Sequence, residues 1–140
     1  MILTDGIGFH SRQVTQLTGI SYRQLDYWTS TKLIAPSIAN EKGSGNFRQF
    51  SNRDVLQILI IQELLANGFD VSRLRKISCR IRKVLEDTKH GDYLLIQNKW
   101  VQCLNSMEVF AHLSNFGDVI SIVPLDKLKE KIWKGVEGDR

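Results

Sequence analysis

Tyr22, Arg23, Gln24 and Tyr27 fall within six consecutive residues, and together they carry a compact set of hydrogen-bonding groups. Arginine offers a planar fork of N–H donors that suits a phosphate or the edge of a guanine. Glutamine can bond an adenine edge or a phosphate, and tyrosine hydroxyls can reach a sugar–phosphate backbone. Ser21 stands directly before this run. Arg12, Arg48 and Arg53 supply further guanidinium groups from neighbouring segments. Arg23 and Gln24 are the candidates for a groove. Arg12, Tyr22, Tyr27, Arg48 and Arg53 are the candidates mostly for the backbone, with an adjacent minor groove also open to Arg48, and Ser21 is a further DNA-binding candidate; most such contacts position a protein and few specify sequence.

These groups need a scaffold that holds one helix outward. Ser11 can cap a first helix running to about Thr18, with Val14 and Leu17 on one apolar face. Gly19 ends it. Ser21-Tyr22-Arg23-Gln24 is an S-x-x-Q capping box that starts a second helix, to about Ser30. Leu25 and Trp28, three residues apart, turn inward with Ile20, Val14 and Leu17, which leaves Tyr22, Arg23, Gln24 and Tyr27 outside. Trp28 is therefore a core residue rather than a stacking platform. Arg23 also has a plainer reading, as an i,i+3 partner of Asp26.

A β-hairpin follows. Leu33-Ile34-Ala35-Pro36 reads as its first strand, Asn40 to Gly45 as its turn and Phe47 to Phe50 as its return. Phe47 and Phe50 cannot share one face of a regular strand, so a bulge or a strand end falls near Phe50. Ser51-Asn52-Arg53-Asp54 is a second capping signal, opening a helix buried through Val55, Leu56, Leu59, Ile60 and Leu64. Asn67-Gly68 stops it. Asp70 can cap a fourth helix with Val71, Leu74, Ile77, Ile81, Val84 and Leu85 at helical spacing. Its other faces carry Arg73, Arg75, Lys76, Arg80, Arg82 and Lys83 and read as a solvated surface.

The period changes after Lys89-His90-Gly91-Asp92. Tyr93–Gln97 and Trp100–Leu104 are β-like and joined by Asn98-Lys99, Ser106 to Leu113 is helical, Val119 to Val123 is strand-like, and Leu125, Leu128 and Ile132 mark a last helix. The expected fold is α+β. A winged helix-turn-helix of four helices and a β-hairpin wing spans 9–88, and a small β-β-α-β-α unit for dimerisation or effector binding spans 91–134. Helix, tight turn, second helix and wing is an order that places one helix in the major groove of DNA.

Bulk composition agrees with such a partner. The 140 residues carry a net charge of +4, with a pI of about 9.2. Residues 1–90 hold 13 Lys/Arg against 8 Asp/Glu, and residues 91–140 hold 6 against 7, so the positive charge belongs to the first two thirds. Cys79 and Cys103 form no CxxC, and His10, His90 and His112 are scattered, so no metal site or other cofactor is expected. Two unpaired thiols fit a reducing cytoplasm. No nucleophile elbow, P-loop, H-E-x-x-H or paired-carboxylate signature occurs, so no catalytic residue is assigned and a non-enzyme is expected. The densest apolar run, Val55 to Ile61, is far shorter than the roughly 20 residues of a spanning helix, and the N-terminus lacks the basic-then-apolar order of a signal peptide. A cytoplasmic protein without a membrane partner is expected.

Residues 10–86 resemble the DNA-binding domain of MerR-type transcriptional regulators. The resemblance rests on Val14, Leu17 to Ser21, Arg23 to Trp28, Leu33 to Pro36, Phe47 to Ser51, Asp54-Val55 and Leu64 to Val71. The Arg-Gln-Leu-Asp-Tyr-Trp string, the Gly-Ser-Gly turn and the short C-terminal unit are similar to an actinobacterial-type, bacterial subfamily. Typical members carry Arg where Asp26 stands. Beside a phosphate Asp26 is repulsive, and it can pair instead with Arg23 or Arg53. The family's wing pattern Tyr-Arg-x-Tyr appears as Phe47-Arg48-Gln49-Phe50, which keeps the guanidinium and loses two hydroxyls. The long C-terminal dimerisation helix of the family is replaced by β-like sequence after Asp87. The resemblance implies a double-stranded DNA partner, deformation of promoter DNA, contact with RNA polymerase and regulation of transcription. A homodimer is expected, because one such module makes few contacts. A small-molecule effector is a further expected partner, with Tyr93 and Trp100 as candidate pocket walls. Two other readings stay open: a protein- or ligand-binding adaptor on the same scaffold, and a monomeric excisionase-like DNA-bending factor.

Overall fold

The computed structural model describes residues 8–38, 48–87, 92–113 and 119–138. Its elements run β1 (Phe9–His10), α1 (Ser11–Thr18), α2 (Tyr22–Ser30), β2 (Gln49–Phe50), α3 (Asn52–Ala66), α4 (Val71–Glu86), β3 (Tyr93–Gln97), β4 (Trp100–Leu104), α5 (Ser106–Leu113), β5 (Ser121–Pro124) and α6 (Leu125–Gly138). The mixed helix-and-strand class and the order of helices match the sequence expectation.

Local capping chemistry sets most boundaries. His10, not Ser11, holds the cap position of α1, because Ser11 is already helical, and the His10 N–H donates to Gln13 Oε1 at 2.9 Å. Gly19 takes a left-handed φ of +76°, and its N–H closes α1 on the Thr15 carbonyl at 2.9 Å. At α3 the capping box forms in both directions: Ser51 Oγ accepts from the Asp54 N–H, and an Asp54 carboxylate oxygen accepts from the Ser51 N–H. The same carboxylate accepts from the Ser37 N–H and hydroxyl, both at 2.7 Å, which ties the start of the wing to α3. Asp70 caps α4 by accepting from the Arg73 N–H.

Leu33–Pro36 is not a strand. Lys32 turns the chain through φ +65°, and the N–H groups of Leu33 and Ile34 both donate to the Trp28 carbonyl. This folds two buried side chains back beneath α2, so burial outweighs strand propensity here. The partner of β2 is β1 instead, with Phe9 opposite Phe50 and His10 opposite Gln49. Ile38 N–H donates to the Gln49 carbonyl at 3.2 Å and joins the two arms of the wing. The expected turn at Asn40 to Gly45, and Phe47, lie outside the described residues, as do His90 and Gly91.

Helix α3 is the axis of the molecule. Ten of its fifteen residues are buried, including Ile58 and Ile61 beyond those its period singled out. A helix apolar on every side must be covered on every side. Here α1, α4 and β2 supply part of the cover and α6, from the C-terminal segment, supplies the rest. One apolar core therefore runs from Phe9, Val14 and Trp28 through α3 and α4 to Leu94, Ile96, Val123, Leu128 and Ile132. Gly135 lets α6 approach α1 closely, since a Cβ there would collide with Leu17.

The C-terminal sheet is antiparallel with order β4-β3-β5. Asn98, at φ +53°, makes the two-residue turn between β3 and β4 that the sequence marks. The last strand is displaced to Ser121–Pro124 from the expected 119–123. Its terminal proline is tolerated because β5 is an edge strand.

Candidate nucleic-acid interface

Helix α2 stands on its inner face and presents its outer one. Leu25 and Trp28 are each 2% exposed, whereas Tyr22 and Tyr27 are 58% and 55% exposed. Arg23 and Gln24 are exposed between them. Ser21 is exposed too, but its hydroxyl is engaged as the cap, accepting from the Gln24 N–H at 3.1 Å. Among the described residues the Gln24 side chain makes no return bond to Ser21, so half of the expected box forms and the Gln24 amide is left facing solvent.

The far end of α2 is held by a residue that sequence reading left on a solvated face. Arg75 of α4 donates to the Thr31 carbonyl and to the Thr31 hydroxyl, both at 2.8 Å. Its guanidinium also lies 5.9 Å from the centre of the Tyr27 ring, within cation–π range. A cation at a helix C-terminus meets the negative end of the helix dipole and the carbonyls left without helical partners. Arg75 and Thr31 are 44 residues apart, and no local pattern signals the pairing.

Arg12, Tyr22, Arg23 and Arg48 line one groove of about 680 Å³, together with His10 and Asp26. Three of the candidate guanidinium residues thus share a concave face beside α2. Arg53 does not join them. It lines a separate depression with Ser37, Ser51 and Arg82, at the start of α3. Among the described residues the salt-bridge partner of Asp26 is neither Arg23 nor Arg53 but Arg48. Arg48 Nη1 donates to Asp26 Oδ1 at 2.7 Å, with the Arg48 side chain 15% exposed and that of Asp26 68% exposed. The acid on α2 therefore holds the arginine of the wing base, and the guanidinium that the sequence placed on phosphate is engaged within the protein.

Tyr93 and Trp100 are not neighbours. Tyr93 is opposite Leu104 and Trp100 is opposite Gln97, at the two ends of the β3–β4 hairpin. Tyr93 packs with Leu95, Leu104 and Val109, whereas Trp100 is 69% exposed.

Among the described residues no three His, Cys, Asp or Glu side chains form a group that could hold a metal ion. Cys103 is half-buried, and its thiol is pushed up to about 11, chiefly by burial, with Asp92, Asp87 and Glu108 adding to the shift and Lys129 opposing it. A thiol is nucleophilic and ligating only as thiolate, so this residue is inert near neutral pH. Near pH 8 an alkylating reagent is expected to label the exposed Cys79 and spare Cys103, as peptide mass mapping can read. Unfolded Cys103 ionises near its ordinary value of 9.0 while the folded thiol stays protonated. Stability is therefore unaffected by this group below pH 9 and falls as pH rises towards 11.

No helix among the described residues is long and apolar enough to cross a membrane. Comparison with known proteins places the similarity in the N-terminal half. Residues 9–78 match the family described as MerR HTH family regulatory protein. Uncharacterized HTH-type transcriptional regulators of Mycobacterium tuberculosis and Mycobacterium bovis are 41% identical over 69 residues, covering 49% of this chain and 31% of theirs. The HTH-type transcriptional regulator GlnR of Bacillus cereus is 32% identical over 82 residues, covering 54% of this chain and 60% of its own. The chain thus spans about a third of the mycobacterial relatives' length and under two thirds of GlnR's.

Proposed function

The chain belongs to the MerR HTH family of regulatory proteins, and from that premise we propose that it regulates transcription by binding double-stranded DNA as a homodimer in the cytoplasm. Helix α2 enters the major groove, where Arg23 and Gln24 meet base edges. Tyr22, Tyr27 and Arg12 meet the flanking backbone, and the wing base lies alongside. The observation that carries this reading is the outward face of α2: a capped helix, braced at its far end by Arg75, with two exposed tyrosines, Arg23 and Gln24 beside a groove lined by three arginine residues.

Binding to random-sequence duplex across a salt series tests it. Each neutralised phosphate contributes about −0.9 to the slope of log K against log salt. A steep negative slope is expected. Absence of binding at low salt favours the adaptor reading.

The Asp26–Arg48 pair makes a second expectation. Asp26→Asn keeps the shape, removes a negative charge from the DNA face and releases Arg48 to phosphate. A pair with one open partner is worth about 0–1 kcal/mol, so affinity at low salt rises by up to about fivefold. The salt slope steepens by about one contact, or ~0.9. A slope equal to that of the wild type would remove Arg48 from the set of potential phosphate ligands.

A further inference from the structure

The two exposed tyrosines of α2 are held differently. An exposed ring is ordinarily free to swing between staggered rotamers. Among the described residues no cation lies over the Tyr22 ring, whereas the Arg75 guanidinium stands against that of Tyr27. The Tyr27 backbone is engaged by the same neighbourhood. Thr31 donates its N–H and its hydroxyl to the Tyr27 carbonyl, at 3.0 and 2.7 Å. Arg75 in turn donates to that Thr31 hydroxyl. A chain of hydrogen bonds therefore runs from α4 through Thr31 to Tyr27, and the guanidinium that starts it also lies against the ring.

Arginine is the side chain with the parts for this. Its guanidinium is planar, carries five N–H donors in a fixed fork and offers a face that stacks on an aromatic ring. One residue can thus bond the Thr31 carbonyl and hydroxyl and still face Tyr27. The brace starts from a fixed point, because Leu74 and Ile77, on either side of Arg75 in the chain, are fully buried. An interface side chain that is ordered only on binding costs a factor of about two to ten in affinity. A ring already held in place escapes that cost.

We propose that Arg75 is a positioning residue for DNA binding: it holds the Tyr27 ring in the orientation from which the hydroxyl meets the sugar–phosphate backbone, and adds affinity without touching DNA itself. The proposal rests on the DNA-binding reading above and goes beyond it by assigning a role to a residue outside the recognition helix.

A double-mutant cycle on duplex affinity tests it, with circular dichroism confirming that each variant is folded at the assay temperature. Arg75→Gln is expected to raise Kd about two- to tenfold per half-site. In the Tyr27→Phe protein, which lacks the hydroxyl, the same substitution is expected to cost almost nothing further, whereas with Tyr22→Phe the two losses add. The salt slope is expected to stay that of the wild type, since a direct phosphate contact by Arg75 would make it shallower by ~0.9 on loss of the charge. Arg75→Lys keeps a cation at the end of α2, serves where Arg75→Gln does not fold, and is expected to show the same coupling at smaller size. Unchanged affinity, losses that add fully with Tyr27→Phe, or a shallower slope overturns the proposal.

A second readout needs no DNA. Side-chain couplings of the free protein are expected to report one Tyr27 χ1 rotamer in the wild type and averaging in Arg75→Gln. Averaging already present in the wild type also overturns the proposal. A wild type that ignores duplex contradicts the DNA-binding reading instead, and the couplings then decide by themselves whether Arg75 holds Tyr27.

Discussion

Arg23→Ala is expected to weaken binding to the tightest duplex selected from a random pool by about tenfold to a hundredfold, because a good bidentate base contact is worth about 1–3 kcal/mol. Three observations make this the largest effect on the DNA face. Arg23 lies in the first turn of α2, where a major-groove helix touches base edges. It is exposed, and among the described residues it makes no salt bridge, since Asp26 is engaged by Arg48 instead. Among the described residues its guanidinium is therefore available without first breaking a salt bridge. Melting temperature is expected to change little, because surface substitutions away from such contacts stay within about 0.5 kcal/mol. Discrimination between sequences should fall along with affinity. An Arg23→Ala protein that still separates the selected duplex from random duplex as the wild type does would place base reading elsewhere.

Trp28→Ala acts on the opposite face of the same helix. Trp28 is the largest of the fully buried side chains, and its carbonyl receives the N–H groups of Leu33 and Ile34. Truncating a buried tryptophan costs about 3–5 kcal/mol, a large share of the roughly 5–15 kcal/mol that holds a domain folded. Thermal unfolding is expected to shift down by about 10 °C or more, given a few degrees per kcal/mol at this size. Trp28→Phe keeps a ring in the site and is expected to lose clearly less. Any loss of DNA binding should track unfolding, and binding should persist at temperatures where the variant remains folded. Near-normal stability after Trp28→Ala would contradict the account of how α2 is anchored.

Much of this architecture is readable along the chain because its signals are local. Gly19, the Ser51–Asp54 box and the Asp70 cap each act within a few residues, and each falls where the pattern places it. Asn98-Lys99 fixes the turn of the C-terminal hairpin. The outward set Tyr22, Arg23, Gln24 and Tyr27 follows from the three-residue spacing of Leu25 and Trp28.

What escapes the sequence is set by partners distant along it. Phe9–His10 is a strand only because Gln49–Phe50 pairs with it. Leu33 to Pro36 has strand-like composition, but the Trp28 carbonyl and the core beneath it take the segment instead. Asp26 has Arg23 close by in sequence and still bonds Arg48, because the wing base folds across α2. Arg75 belongs to a basic helix that looks uniformly solvated until Thr31 is brought against it. The burial of α3 around most of its girth, Ile58 and Ile61 included, needs cover from several elements, α6 among them. The acid at Asp26 is thus matched by the arginine of the wing base, and only the tertiary contact reveals which cation it takes.

The central claim is that the outer face of α2 meets the double helix. Titrating isotope-labelled protein with duplex and following backbone amide shifts tests it residue by residue. The account predicts the largest changes at Tyr22 to Tyr27, with Arg12 and Arg48, and small ones across α5 and the C-terminal sheet. Shifts concentrated on the C-terminal segment, with α2 unmoved, would contradict it.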